Sequence, residues 1–271
     1  MATAKNRGRH CRESENIELR TSEPSMRRFS ITALLALWIC SCSLASMRPT
    51  PPEISPVAAR RISNIEKLNQ GLDSFKGIGN LRLSGAKGRQ TLRAAWIAQM
   101  PDRFRLELLG VTGAPVASVA ADGTYFTAYL HDSRKQYRHR LGEDGLERVV
   151  GVELKVAEVV SMLGGRVFIA EFRKAVVEEG VLILKDGVGR KQQAIYPPGE
   201  QNAWWVVERF DERGELRYRA ILEDLRQADG YLIPGRIVVT TEGGDGFQVS
   251  VDRFWANPAV APSAFVLDEA P

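Results

Sequence analysis

Apolar and polar positions change their period along the chain. Ile62, Ile65, Leu68 and Leu72 recur at helical spacing, and Ser55-Pro56 ahead of them offers an N-cap and a first-turn proline. The spacing predicts one amphipathic helix ending near Gly71 to Ser74. Beyond it the period falls to two. In Arg103-Phe104-Arg105-Leu106-Glu107-Leu108 the apolar side chains share one face and the charged ones the other, as a strand with one wet face requires. The same alternation runs through Leu92 to Trp96, Leu216 to Ala220 and Phe247 to Asp252. Turn signals such as Asp122-Gly123, Glu143-Asp144-Gly145, Asp186-Gly187, Pro198-Gly199, Arg213-Gly214, Asp229-Gly230 and Gly243 to Gly246 separate these runs. About ten to eleven strands at hairpin spacing predict a mainly β fold: a single strongly curved antiparallel sheet, an incomplete or half barrel.

One segment breaks this meander. Val156, Val159, Val160 and Leu163 mark a short helix that Gly164-Gly165 stops. An apolar helix inserted among strands must bury its face, and the concave side of the sheet is the place for it. A curved sheet covered by α-helices leaves an apolar cavity, an architecture for binding rather than catalysis.

The N-terminal region changes what the charge means. The chain has 271 residues and a formal net charge of +4, which hints at a polyanion. Met26-Arg27-Arg28, the apolar run Ile31–Ile39 and a small-residue site form the three parts of a secretory signal, with an apolar run too short for the roughly twenty residues of a membrane span. Translation starting at Met26 gives this signal an ordinary length. Residues 1–41 hold seven of the 37 basic and four of the 33 acidic residues, leaving 30 and 29. A nucleic-acid partner thereby loses its support. The cysteines are Cys11, Cys40 and Cys42, so a chain matured at Cys42 keeps no disulfide or thiolate metal site. Residues 42–56, with four prolines, read as a tether, and 57–271 as the domain.

Ile39-Cys40-Ser41-Cys42 resembles a bacterial lipobox, in which Cys42 becomes the acylated N-terminus; Cys40 fits it less well. Met100-Pro101-Asp102-Arg103 leading into the strand to Gly110, the apolar loop after it, and the Val149–Gly165 block resemble the LolB family of outer-membrane lipoproteins, over residues 60–255. The wider LolA/LolB superfamily also holds related lipoproteins without an assigned role. The resemblance implies an outer-membrane, lipid-anchored, periplasm-facing monomer that accepts acylated lipoproteins from a periplasmic LolA-like carrier and inserts them in that membrane, without a cofactor. It also implies that a residue protruding from the loop assists delivery. Leu109, Val111 and Thr112 occupy that loop here, with Thr112 where the family has leucine.

Strand alternation places Leu92, Trp96, Phe104, Leu106, Leu108, Leu216, Tyr218, Phe247 and Val249 on the inward face, where they line an acyl-chain cavity or fill a core. Other chemistry has little support. His131 and His139 have no company for a triad or metal site, and Glu178-Glu179 and Glu223-Asp224 read as solvated strand ends. Trp204 and Trp205 point to opposite faces, and Arg134 to Arg140 form a basic strand face. No catalytic residues and no metal ligands are assigned, and no enzyme is expected. The readings that remain are lipoprotein acceptance, binding of another amphiphile such as lipopolysaccharide or a phospholipid, and an envelope assembly role with a filled interior.

Overall fold

A computed structural model describes residues 51–85, 88–141, 146–198 and 203–267. Met26, Cys42 and most of the tether lie outside the described residues, as do Glu143-Asp144-Gly145 and the ring of Trp204. Fourteen strands form one sheet: β1 (Glu53–Ile54), β2 (Ser74–Gly85), β3 (Gly88–Gln99), β4 (Arg103–Leu109), β5 (Pro115–Asp122), β6 (Tyr125–Leu130), β7 (Lys135–Arg140), β8 (Lys174–Glu178), β9 (Val181–Lys185), β10 (Lys191–Tyr196), β11 (Ala203–Phe210), β12 (Leu216–Ala228), β13 (Tyr231–Thr240) and β14 (Gly246–Ala256). The expected class is what is observed, with more strands than the ten to eleven anticipated. Two-residue β1 carries no periodicity, and short strands such as β8 and β9 merge into one apolar stretch when read without their turn.

The spatial order is β1-β8-β9-β10-β11-β12-β13-β14-β2-β3-β4-β5-β6-β7. All neighbours pair antiparallel except β1 and β8. The sheet is therefore open, with edges at β1 and β7. Consecutive strands β7 and β8 lie toward opposite edges, so the chain between them must cross the sheet. That crossover carries α2 (Glu147–Val150) and α3 (Val156–Leu163). Helix α3 packs against both β4 and β13, which are separated by three intervening strands. A flat sheet cannot present both to one helix; this one curls around it.

Helix α1 (Pro56–Glu66) starts as its sequence dictates, with the Ser55 hydroxyl accepting from the Ala58 N–H and proline at the first turn. It buries Ala58, Ile62 and Ile65. It ends at Glu66, short of Gly71, because Asn69 takes a left-handed conformation, φ 48°, and Leu68 and Leu72 pack from the following turn instead. The exception is useful. Asn69 donates to the Gly164 and Leu232 carbonyls at 2.9 and 2.7 Å and accepts from the Leu232 N–H, tying the end of α3 to β13. Arg166 adds a bond to the Leu72 carbonyl at 3.1 Å, and partial burial lowers its pKa, with Asp73 opposing that shift.

Candidate apolar interior

The concave face is built by strand parity. Register sets Trp96 opposite Leu106, Ala98 opposite Phe104 and Ala94 opposite Leu108, all buried. On the next strands Leu81 faces Val249 and Val239 faces Phe247. Gly77 lies opposite Trp96, and a Cβ there would sit 2.4 Å from the indole Cζ2, so the missing side chain is the space into which the ring folds.

Between this face and the crossover lies a cavity of about 40 Å³. Trp96, Phe104, Leu106, Phe247 and Val249 line it from the sheet, Val159, Met162 and Leu163 from α3, and Leu146 and Val150 from the start of the crossover. Its lining side chains are all apolar. The volume is well under the roughly 150 Å³ that admits one benzene ring, so α3 and the Leu146–Val150 turn fill most of the hollow of the sheet.

Five of the nine predicted inward residues reach the cavity. Leu92 and Leu108 are buried in the adjoining core. Leu216 is half-buried, because a bulge between Arg209 and Phe210 shifts the register and sets it opposite Phe210. Of the covering helix, Val159 and Leu163 line the cavity while Val156 and Val160 are buried in the surrounding core. Leu81, Ala94, Leu146, Val150, Met162 and Ile237 were missed. Leu81 and Ile237 belong to ordinary alternating strands and were legible; Leu146 follows a turn, and nothing in its neighbourhood signals that it points inward.

Tyr218 belongs to a polar cluster at the sheet side of α3. Glu158, the one charged residue within that helix, is 4% exposed. Its carboxylate accepts from Arg209 Nε at 3.0 Å and from the Lys155 N–H at 2.9 Å, closing the first turn of the helix. Arg209 also donates to the Gln192 carbonyl. Tyr218 is paired with Arg209 across β11 and β12; burial, reinforced by the negative charge of Glu158, pushes its phenol pKa well above the usual 10. Glu153, just before α3, pairs with Arg217 of β12. The crossover is thus held to β11–β12 by two ion pairs. The signal for the buried one was a lone acid in an otherwise apolar helix.

The β4–β5 turn projects from the sheet. Val111 is fully exposed, Thr112 is exposed and Leu109 is half-buried. Elsewhere, Ser118 donates to Glu107 at 2.5 Å and lies 2.9 Å from His131 Nε2. The hydroxyl proton goes to the carboxylate, and the Ser118 oxygen lies within hydrogen-bond distance of the imidazole. Glu178 pairs with Lys185 and Glu223 with Arg236 at the surface. Arg138 stacks over Tyr125 at 4.4 Å on edge strand β7, whose cations discourage further strand pairing. Among the described residues, no cluster of His, Cys, Asp and Glu could hold a metal ion, and no helix is long and apolar enough to cross a membrane.

No protein-family model matches the sequence, and no curated protein is significantly similar to it. Solved structures are similar in shape. A protein from Vibrio parahaemolyticus named for outer-membrane lipoprotein sorting superposes with a TM-score of 0.53 at 14% identity, over 77% of this chain and 94% of that one. A LolA superfamily protein from Nitrosomonas europaea gives 0.53 at 13% identity, over 76% and 97%. The fold is LolA-like. A DUF1329 family protein from Desulfovibrio piger shares it with a TM-score of 0.52 at 10% identity, over 80% and 98%. This chain builds the fold from a curled sheet and a crossover that occupies its hollow.

Proposed function

We propose that this chain is an envelope lipoprotein, anchored through Cys42 in the outer membrane, that receives acylated lipoproteins from a periplasmic carrier and passes them to that membrane. The observation that carries this reading is the all-apolar cavity between the concave sheet and the crossover helix. Each buried methylene contributes about 0.8 kcal/mol, so an acyl chain needs such an escort through water. The cavity of about 40 Å³ cannot hold one as it stands; loading requires α3 and the Leu146–Val150 turn to withdraw and the chain to take their place. Transfer then needs no covalent chemistry, only a membrane that binds the acyl chain more strongly than the cavity does. Val111, exposed at the β4–β5 tip, is the residue of the loop placed to meet lipid; Leu109 is half-buried in the strand end and Thr112 supplies little apolar surface.

A photocrosslinker at Phe104 should capture an acylated client during transfer, and one at Val111 should capture lipid or client at release. Transfer that proceeds without crosslinks at either position refutes the site assignment, and normal lipoprotein sorting after depletion refutes the function. A second reading is favoured by the small volume itself: an envelope assembly protein whose hollow is permanently filled by its own helix. Native mass spectrometry of the purified protein separates the two, since a bound amphiphile excludes the filled interior.

A further inference from the structure

Strand register orders the turns around the two rims of the sheet. Gly246 pairs with Ser84, Ser84 with Arg89, Arg93 with Leu109, Thr240 with Gly246 and Leu216 with Phe210. Lys191 and Lys174 both pair with Lys185, and Lys174 with Glu53. One rim therefore holds the β2–β3, β4–β5, β6–β7, β9–β10, β11–β12 and β13–β14 turns together with the point where the chain arrives at Pro52.

Four of those turns, β4–β5, β9–β10, β11–β12 and β13–β14, are built alike. In each, the first and fifth residues are joined by a backbone bond, the fourth is a glycine whose N–H returns to the first carbonyl, and that glycine has φ between 80° and 85°. They run Gly110-Val111-Thr112-Gly113-Ala114, Asp186-Gly187-Val188-Gly189-Arg190, Asp211-Glu212-Arg213-Gly214-Glu215 and Thr241-Glu242-Gly243-Gly244-Asp245. The Asp186 and Asp211 turns match even in their side-chain bonds, each carboxylate accepting from the third and fifth N–H groups. With one backbone, tip composition is free to vary. Two tips carry Glu212-Arg213 and Glu242-Gly243; the other two expose valine, Val111 fully and Val188 at 75%. Turn chemistry does not ask for a β-branched residue at position 188, since Arg213 serves in the matching place.

The two kinds of tip are segregated. Along the sheet order, the Glu212 and Glu242 turns are adjacent on the central strands; the Val188 turn lies to one side of them, and the Val111 turn to the other, past the β2–β3 turn and inside the polar β6–β7 turn at the edge. Val188 also neighbours the arriving chain: Pro52, Asp186 and Gly187 line one surface groove. Ten residues separate Cys42 from Pro52, a reach of at most about 35 Å.

We infer that Val188 is a second membrane contact, so that the rim meets the bilayer through two valine tips, one beside the tether and one on the far arm of the curl, with the acidic turns turned away from lipid. Partner and orientation follow from where the chain arrives: an acyl anchor at Cys42 holds this rim, which receives the chain at Pro52, nearest to the surface. The inference rests on the lipid-anchor reading above and adds to it a contact outside the β4–β5 loop.

The test uses the full, matured protein in vesicles of phosphatidylethanolamine and phosphatidylglycerol, with a share of the acyl chains brominated. A chain matured at Cys42 has lost Cys11 and Cys40, so Val188→Cys, Val111→Cys, Arg213→Cys and Glu242→Cys each accept one environment-sensitive fluorophore. Probes at 188 and 111 should shift to the blue and be quenched by bromolipid severalfold more than those at 213 and 242. An acylated chain whose position-188 probe stays as water-exposed as the position-213 probe overturns the second contact while leaving the anchor intact. An intact mass lacking the diacylglyceryl group overturns the anchor, and the membrane-facing rim with it.

Discussion

Substitution of Glu158 tests how the crossover is fixed. The side chains of Glu158 and Arg209 are 5% and 10% exposed, so their ion pair belongs to the buried class, where removing one partner strands the other's charge. Glu158→Ala takes away the partner of Arg209 Nε and the acceptor for the Lys155 N–H together. The expected loss is about 3–5 kcal/mol, a large share of the roughly 5–15 kcal/mol that holds a domain folded. At a urea slope of about 2 kcal/mol/M this lowers the midpoint by roughly 1.5–2.5 M. Glu158→Gln keeps an acceptor for the N–H without the charge and should fall between Ala and the parent. The double change Glu158→Leu with Arg209→Met removes both charges and should recover most of the loss, as apolar replacements of buried pairs commonly do. Urea unfolding of the parent, Glu158→Leu, Arg209→Met and the double variant provides the cycle, with Glu158→Ala and Glu158→Gln measured beside it. A loss below about 1 kcal/mol in Glu158→Ala, or a double variant as unstable as the two single losses summed, would falsify the view that a buried charge pair clamps α3.

Further outcomes follow from neighbouring features. The Tyr218 phenol has a folded pKa above its unfolded value, so its stabilisation is complete below about pH 10 and is lost as pH rises through the folded value; thermal melts between neutral and strongly alkaline pH should fall in the parent and fall less in Tyr218→Phe. Gly77→Val forces the Trp96 ring from its place and should cost about 1–3 kcal/mol with a changed near-ultraviolet spectrum, relieved by adding Trp96→Leu; an unchanged spectrum refutes the packing. Ala94→Val adds volume at the cavity wall. Under the acceptor reading it should reduce retention of an acylated client while thermal stability stays near the parent's, and undiminished retention would point to a different binding face.

How far the sequence could be followed depends on where the information sits. Strand parity is local, so Phe104, Leu106, Trp96, Phe247 and Val249 could be placed on one face from their spacing alone, and the lid helix from its apolar run and terminal glycines. Leu216 illustrates the limit. Alternation assigns it to the face of Tyr218, but Arg217 is an extra residue set against consecutive Arg209 and Phe210 of the partner strand, and nothing in the run itself marks that bulge. Tyr218 faces inward as expected, yet its surroundings are polar because Glu158 and Arg209, distant in sequence, meet beside it. Nor does any local pattern report volume: a hollow filled by its own helix and an empty one have the same inward residues, and only packing decides between them. The end of α1 was missed for a tertiary reason as well, since Asn69 leaves the helix to bond with α3 and β13.

The short strand β1 has a mechanical consequence. Its two residues are clasped to β8 by Glu53 N–H to the Arg173 carbonyl at 2.7 Å, by Ser55 N–H to the Ala175 carbonyl at 3.0 Å and by a Glu53–Lys174 ion pair. Strand β8 is also the first strand after the crossover that plugs the sheet. Tension arriving along the N-terminal segment would load this clasp before reaching any other strand pair; along the chain β1 leads on to α1, whereas its partner β8 is the strand joined to the plug. A pull along that segment is thus felt first at the strand that follows the plug in the chain.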